Sequence, residues 1–174
     1  MKTVLVTGPI GGGKSRVCGF LAQMGYPVYD CDSRCKALYE EVPHLKERIE
    51  ETIGVPFSQI GIIFRDEQKR EALEALVYPI LLEDFLSWRG AQSSGIVFVE
   101  SAVALSKGVF DGVYDSVLMV VCPLEVREKR NPKALERDSL QEFDLSRADY
   151  IIRNDSTLEA LEAQVEAAVA FLNQ

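Results

Sequence analysis

Gly8-Pro9-Ile10-Gly11-Gly12-Gly13-Lys14-Ser15 places a glycine, four residues and then Gly-Lys-Ser directly after the apolar run Thr3–Thr7. Val4, Leu5 and Val6 follow one another without polar relief, which predicts a strand buried on both faces. From Gly13 to Met24, the residues Val17, Phe20, Leu21 and Met24 recur at helical spacing, and Gly25 stands where a helix ends in a left-handed residue. A strand, a glycine loop and a helix in that order aim successive backbone N–H groups and the helix dipole at an anion. Glycine is needed because a side chain would hold the anion away from the amides. The pattern is that of the P-loop. It makes Gly8, Pro9, Ile10, Gly11, Gly12 and Gly13 the cradle of a nucleotide's phosphates. Lys14 would reach the terminal phosphates, and the Ser15 hydroxyl would ligate Mg²⁺. Arg16, next along the helix, is counted with the nucleotide-binding residues.

Outward from this segment, short apolar runs alternate with longer amphipathic ones to the end of the chain, which predicts an α/β fold with a parallel sheet and crossover helices. Five strands are expected, at Thr3–Thr7, Pro27–Asp30, Gly95–Glu100, Ser116–Val121 and Tyr150–Ile152. Helices are expected at Ser33–Glu41, at Pro43–Ile53 opened by Pro43, and at Asp66–Trp88 with Pro79 bending or breaking it. A helix from Leu124 to Arg130 follows the fourth strand, and Ser156 with Glu159 reads as a capping box for a last helix to Leu172.

A P-loop says what is bound but not what receives a phosphoryl group, so the other strand ends matter, since ligands of parallel sheets bind at the carboxyl edge. Asp30-Cys31-Asp32 follows the second strand, and one of its carboxylates could orient an acceptor hydroxyl or hold metal through water while the other caps a helix. Glu100, ending the third strand, stands where an acidic metal partner is expected. Six basic residues, Arg127, Lys129, Arg130, Lys133, Arg137 and Arg147, gather in one segment of an acidic protein, which suits a lid over polyphosphate. Glu125, Glu128, Glu136 and Asp138 lie among them as possible ion-pair partners.

The 174 residues are 47% hydrophobic and 26% charged, which excludes disorder and fits one globular domain. The net charge of −8 opposes a nucleic-acid partner, and the apolar runs fall short of the ~20 residues a membrane span needs. The amino terminus carries no secretory pattern, so the expected location is the cytoplasm. The four cysteines, Cys18, Cys31, Cys35 and Cys122, are too few and too scattered for a disulfide framework and are expected as free thiols. Cys31 and Cys35 with His44, the one histidine, lack a fourth zinc ligand, and His44 is a poor candidate base.

The chain resembles the dephospho-CoA kinases, of the nucleoside-monophosphate-kinase-like P-loop group, over most of its length. The likeness rests on Thr7–Ser15, on Gly25-Tyr26-Pro27-Val28-Tyr29-Asp30-Cys31-Asp32, on Glu100-Ser101-Ala102, on Cys122-Pro123-Leu124-Glu125-Val126-Arg127, and on Arg147-Ala148-Asp149-Tyr150-Ile151-Ile152-Arg153-Asn154-Asp155. It implies a three-layer P-loop NTPase fold, with a small helical acceptor-binding insertion and a shortened lid, and ATP-dependent phosphorylation of the ribose 3′-hydroxyl of dephospho-CoA with Mg²⁺. On this likeness residues 1–174 form a single kinase domain. Its nucleotide-binding core is 1–32 and 94–174, its acceptor-binding region 33–93 and its lid 129–147. Thr7 and Asp32 would face the acceptor, Asp32 as orienter or base, with Tyr78 where the family usually has a histidine before proline. Arg130 and Arg137 would close on the transferring phosphoryl group, and Asn154 would lie near the adenine. A kinase for another nucleotide or small-molecule acceptor, and a nucleotide-binding regulatory protein with weak transfer, are the competing readings.

Overall fold

The computed structural model describes residues 1–135 and 144–173. The chain divides into two units, one made of Met1–Asp30 and Gln92–Gln174 and the other of Cys31–Ala91.

The first unit is built on strands β1 (Lys2–Thr7), β2 (Val28–Asp30), β3 (Ile96–Glu100), β4 (Ser116–Val121) and β5 (Tyr150–Arg153). They form one sheet in the order β2-β3-β1-β4-β5, and every pairing is parallel. The α/β class and the five-stranded parallel sheet are therefore as the pattern predicts. β1 is central, with β3 and β4 as its neighbours, and Val4, Leu5 and Val6 have no exposed surface. Its two faces are both buried, as a central parallel strand requires. Helices α1 (Lys14–Gln23) and α6 (Leu158–Leu172) supply Val17, Leu21, Val165 and Leu172 to the core over Val4, Phe98, Val120 and Ile152. α1 ends in a Schellman arrangement: Gly25 N–H donates to Ala22 O, Tyr26 N–H donates to Leu21 O, and Gly25 takes φ 88°. Helix α5 (Leu124–Arg130) follows β4.

The second unit is helical, with α2 (Cys31–Glu41), α3 (Leu45–Ile53), a 3-10 helix over Phe57–Arg65, and α4 (Glu67–Gly90). Leu45, Ile49, Ile53, Ile63, Leu73 and Val77 form its core. Four local expectations are corrected. α2 begins at Cys31, directly after β2, and not at Ser33. α3 begins at Leu45 and not at Pro43, because His44 takes a left-handed φ of 59° and interrupts the helical dihedrals. α4 runs through Pro79 unbroken. The buried residues Leu73, Val77, Leu81 and Phe85 recur at a spacing of four on both sides of the proline, and burying each contributes about 1.5–3 kcal/mol against a proline cost of about 3 kcal/mol. The last helix is capped by Thr157, whose Oγ1 accepts from Ala160 N–H at 3.2 Å, in place of Ser156, so Glu159 is not the third helical residue a capping box needs. Among the described residues no helix is long and apolar enough to cross a membrane.

Candidate active site

The glycine loop leaves β1 at Thr7 and enters α1 at Lys14. Two of its glycines are fixed by what surrounds them. Gly8 has φ 138°, and a Cβ there would stand 2.1 Å from Val120 O on β4. Gly13, which caps α1 with φ 101°, leaves room for the Asn154 amide, whose Nδ2 would be 2.0 Å from a Cβ. Gly13→Ala is expected to destabilise the protein by about 2–3 kcal/mol, from left-handed strain and the loss of the Asn154 hydrogen bond to Gly12 O. Denaturant midpoints measure this. Asn154→Ala in the same chain removes the clash, so the double variant should be more stable than the two single losses added together. Additive losses would show that the two residues do not meet.

At the mouth of the loop, Lys14 Nζ donates to Gly8 O at 3.0 Å and to Pro9 O at 3.2 Å. Ser15 Oγ donates to Glu100 Oε1 at 2.8 Å. Glu100 is buried at the carboxyl end of β3, and Asp30 is its partner in the β2–β3 register. Burial, and secondarily the Asp30 charge, push the Glu100 carboxyl above its ordinary range, while the Ser15 hydroxyl pulls the other way. Within the same cluster the Cys18 thiol is pushed up by burial first and then by the Glu100 charge, so it is a neutral packing group. A hydroxyl and a carboxylate in contact are hard oxygen donors and fit Mg²⁺, which takes few protein ligands and completes its shell with water and phosphate oxygens.

The outer side of the loop is held by residues from α5 and the end of β5. Arg127 is 6% exposed; its Nε donates to Cys122 O at 2.9 Å and its Nη1 to Ile10 O at 3.4 Å. Arg130 Nη1 donates to Gly11 O at 3.3 Å and reaches Cys122 Sγ at 3.7 Å. Asn154 Nδ2 donates to Gly12 O at 2.9 Å.

The first unit thus brings together Gly8 to Ser15, Glu100, Arg130 and Asn154, with Arg16 exposed on the first turn of α1. The remaining expected residues are placed as follows. Thr7 has no exposed surface, because it ends the central strand, and its Oγ1 has no hydrogen-bond partner among the described residues. Asn154 and Arg130 bond the loop's own carbonyls, which makes holding the loop their visible task. Asp32 and Tyr78 belong to the second unit. Asp32 is exposed in the first turn of α2. Tyr78 is half-buried in α4, and burial followed by its hydrogen-bonded neighbour Glu74 raises its phenol and keeps it neutral. Arg137, with residues 136–143 of the expected lid, lies outside the described residues.

All four cysteines are free, and the half-buried Cys35 Sγ donates to Tyr39 OH at 3.3 Å. His44 precedes α3 without a side-chain cap bond. Two features of the site were not singled out from the sequence: Arg127, named within a basic segment and a motif but given no role of its own, and the pairing of Asp30 with Glu100. The available signal for Arg127 was its place three residues before Arg130 on one helix face.

Residues 2–162 match the family model described as dephospho-CoA kinase (CoaE). The dephospho-CoA kinase of Porphyromonas gingivalis is 34% identical over 147 residues, covering 79% of this chain and 71% of that protein. That of Thermus thermophilus is 30% identical over 183 residues, covering 96% and 90%. The crystal structure of a Thermus thermophilus protein superposes with a TM-score of 0.80 at 29% identity, covering 98% of this chain and 97% of that one.

Proposed function

Because the chain belongs to the dephospho-CoA kinase family, we propose that it transfers the γ-phosphoryl group of ATP to the ribose 3′-hydroxyl of dephospho-CoA, giving coenzyme A and ADP. The observation that carries the reading is the glycine loop with Lys14 at its mouth and the Ser15–Glu100 pair beside it, at the carboxyl edge of a parallel sheet. In phosphoryl transfer the protein contributes position and charge more than covalent chemistry. The amides of Gly8 to Ser15 and the Lys14 ammonium bind the phosphates, and Arg16 and Asn154 flank the nucleotide. Ser15 and Glu100 are the residues that would hold Mg²⁺, which when bound neutralises charge on the phosphate oxygens. Asp32 orients the 3′-hydroxyl and accepts its proton as the oxygen attacks phosphorus and the bond to the ADP oxygen breaks. Tyr78 contributes to the acceptor side as a neutral phenol. Arg130 and Arg137 supply positive charge to the transferring oxygens, a contribution that in related enzymes is worth about 10³-fold or more. The partners are then two small molecules, not nucleic acid or membrane, and the place of work is the cytoplasm.

The test is ATP consumption with a panel of acceptor alcohols, dephospho-CoA first, with both products quantified. ADP and coenzyme A in equal amounts are expected. Preferred transfer to a different alcohol would reassign the acceptor, and firm ATP binding with no transfer to any acceptor would leave a regulatory nucleotide-binding protein.

A further inference from the structure

Along the loop, each of five successive carbonyls accepts a hydrogen bond from a side chain. Gly8 and Pro9 accept from Lys14, Ile10 from Arg127, Gly11 from Arg130 and Gly12 from Asn154. A trans peptide points its N–H opposite to its C=O. Turning Ile10 O toward Arg127 and Gly12 O toward Asn154 therefore turns the N–H groups of Gly11 and Gly13 to the other side of the loop, where an anion is received.

Arg127 differs from the other donors. It is buried where Lys14 and Arg130 reach water, and it joins the loop to a fixed point of the sheet, since Nε donates to Cys122 O just beyond the end of β4. Its backbone lies under Gly11, where a Cβ would be 3.1 Å from Arg127 O and 3.3 Å from Arg127 Cβ, so side chain and main chain of one residue support adjacent loop positions. A guanidinium presents several donors in a rigid fork and stays charged at all working pH values, so Arg127 serves Cys122 O from Nε and Ile10 O from Nη1 with the two bonds fixed relative to each other.

We propose that Arg127 is a positioning residue for nucleotide binding: by bridging Cys122 O and Ile10 O it fixes the Ile10–Gly11 peptide with its N–H toward the phosphates. The proposal rests on the nucleotide-loop part of the function proposed above and not on the identity of the acceptor.

The experiment compares the parent with Arg127→Lys and Arg127→Gln. Lysine keeps the charge but offers its donors from one nitrogen on a flexible stem in place of the planar fork whose Nε and Nη1 serve Cys122 O and Ile10 O separately, so this variant is expected to fold with a less firmly held loop. Calorimetric titration with ADP and Mg²⁺ should give a Kd raised about tenfold, the size of effect that follows from losing one hydrogen bond to a charged group. KM for ATP should rise in parallel, KM for dephospho-CoA should not, and the Gly11 amide should exchange hydrogen faster while amides within α1 keep their protection. A folded Arg127 variant with parental ADP affinity overturns the proposal, and so does an equal weakening of ADP and dephospho-CoA. A parent that binds ADP but transfers nothing to dephospho-CoA would refute the acceptor assignment, and the ADP comparison would still decide the role of Arg127.

Discussion

Lys14→Ala should bring phosphoryl transfer down to background. The ammonium lies at the loop mouth, donating to Gly8 O and Pro9 O, and is the one side chain of the loop that carries a positive charge to the phosphates. Charge-assisted hydrogen bonds to a phosphate contribute about 1.5–3 kcal/mol, so nucleotide affinity should fall roughly 10- to 150-fold. The rate should fall further, because negative charge on the transferring group is stabilised through the same contact. Two loop carbonyls also lose their donor, which should lower the stability of the free protein by about 1 kcal/mol or slightly more. Titration with ADP, a thermal melt and a coupled turnover assay together check the three effects. Unchanged affinity and turnover would sink the phosphate-site assignment.

Asp32→Asn should cut the rate by about 10²–10⁴ and leave ATP affinity nearly intact. Asparagine keeps the shape of the side chain but cannot take a proton from the acceptor hydroxyl. The first turn of α2, where Asp32 is exposed, lies on a helix fixed to α4 by two bonds from Arg34 to Asp84, Nε to Oδ2 at 3.0 Å and Nη2 to Oδ1 at 2.9 Å. A forked guanidinium–carboxylate pair of this kind holds direction as well as distance. Single-turnover rates and ATP binding measured on the same preparation separate the two effects. A comparable loss of ATP binding would make Asp32 a metal-site or structural residue, which is the role its neighbour Asp30, opposite Glu100 in the sheet, is better placed to fill.

The strands, their parallel arrangement and the loop were legible in the sequence, because a central strand is apolar throughout and a close approach of backbone to anion demands glycine. Glu100 was legible for a related reason: a charge that ends an apolar run in a parallel sheet arrives at the edge where ligands bind. Arg127 was not. Within Glu125–Arg130 the charges alternate in a manner that reads as a solvated helix face, and only the tertiary contact with Ile10 O distinguishes one arginine from its neighbours. The burial of Thr7 was not read either, since it follows from the central position of β1 in the sheet order. A break at Pro79 is absent because local propensity was set against a stripe of buried side chains that outweighs it.

β1 precedes both of its sheet neighbours by a long stretch of chain. Val4 pairs with Phe98 on one side and with Ser116 on the other, so more than ninety residues beyond Val4 must leave the ribosome before the central strand gains either neighbour. Pairing across such a sequence distance is slow to form. The Cys31–Ala91 unit is continuous in sequence and can fold in the interval, while Val4-Leu5-Val6 waits as an unpaired apolar segment of the nascent chain. The binding loop inherits this delay, because Val120 O and Asn154, which shape it at Gly8 and Gly13, emerge later still. Nascent chains released before β4 would therefore carry the whole glycine loop and yet hold no nucleotide, and their aggregation would be governed by Val4-Leu5-Val6.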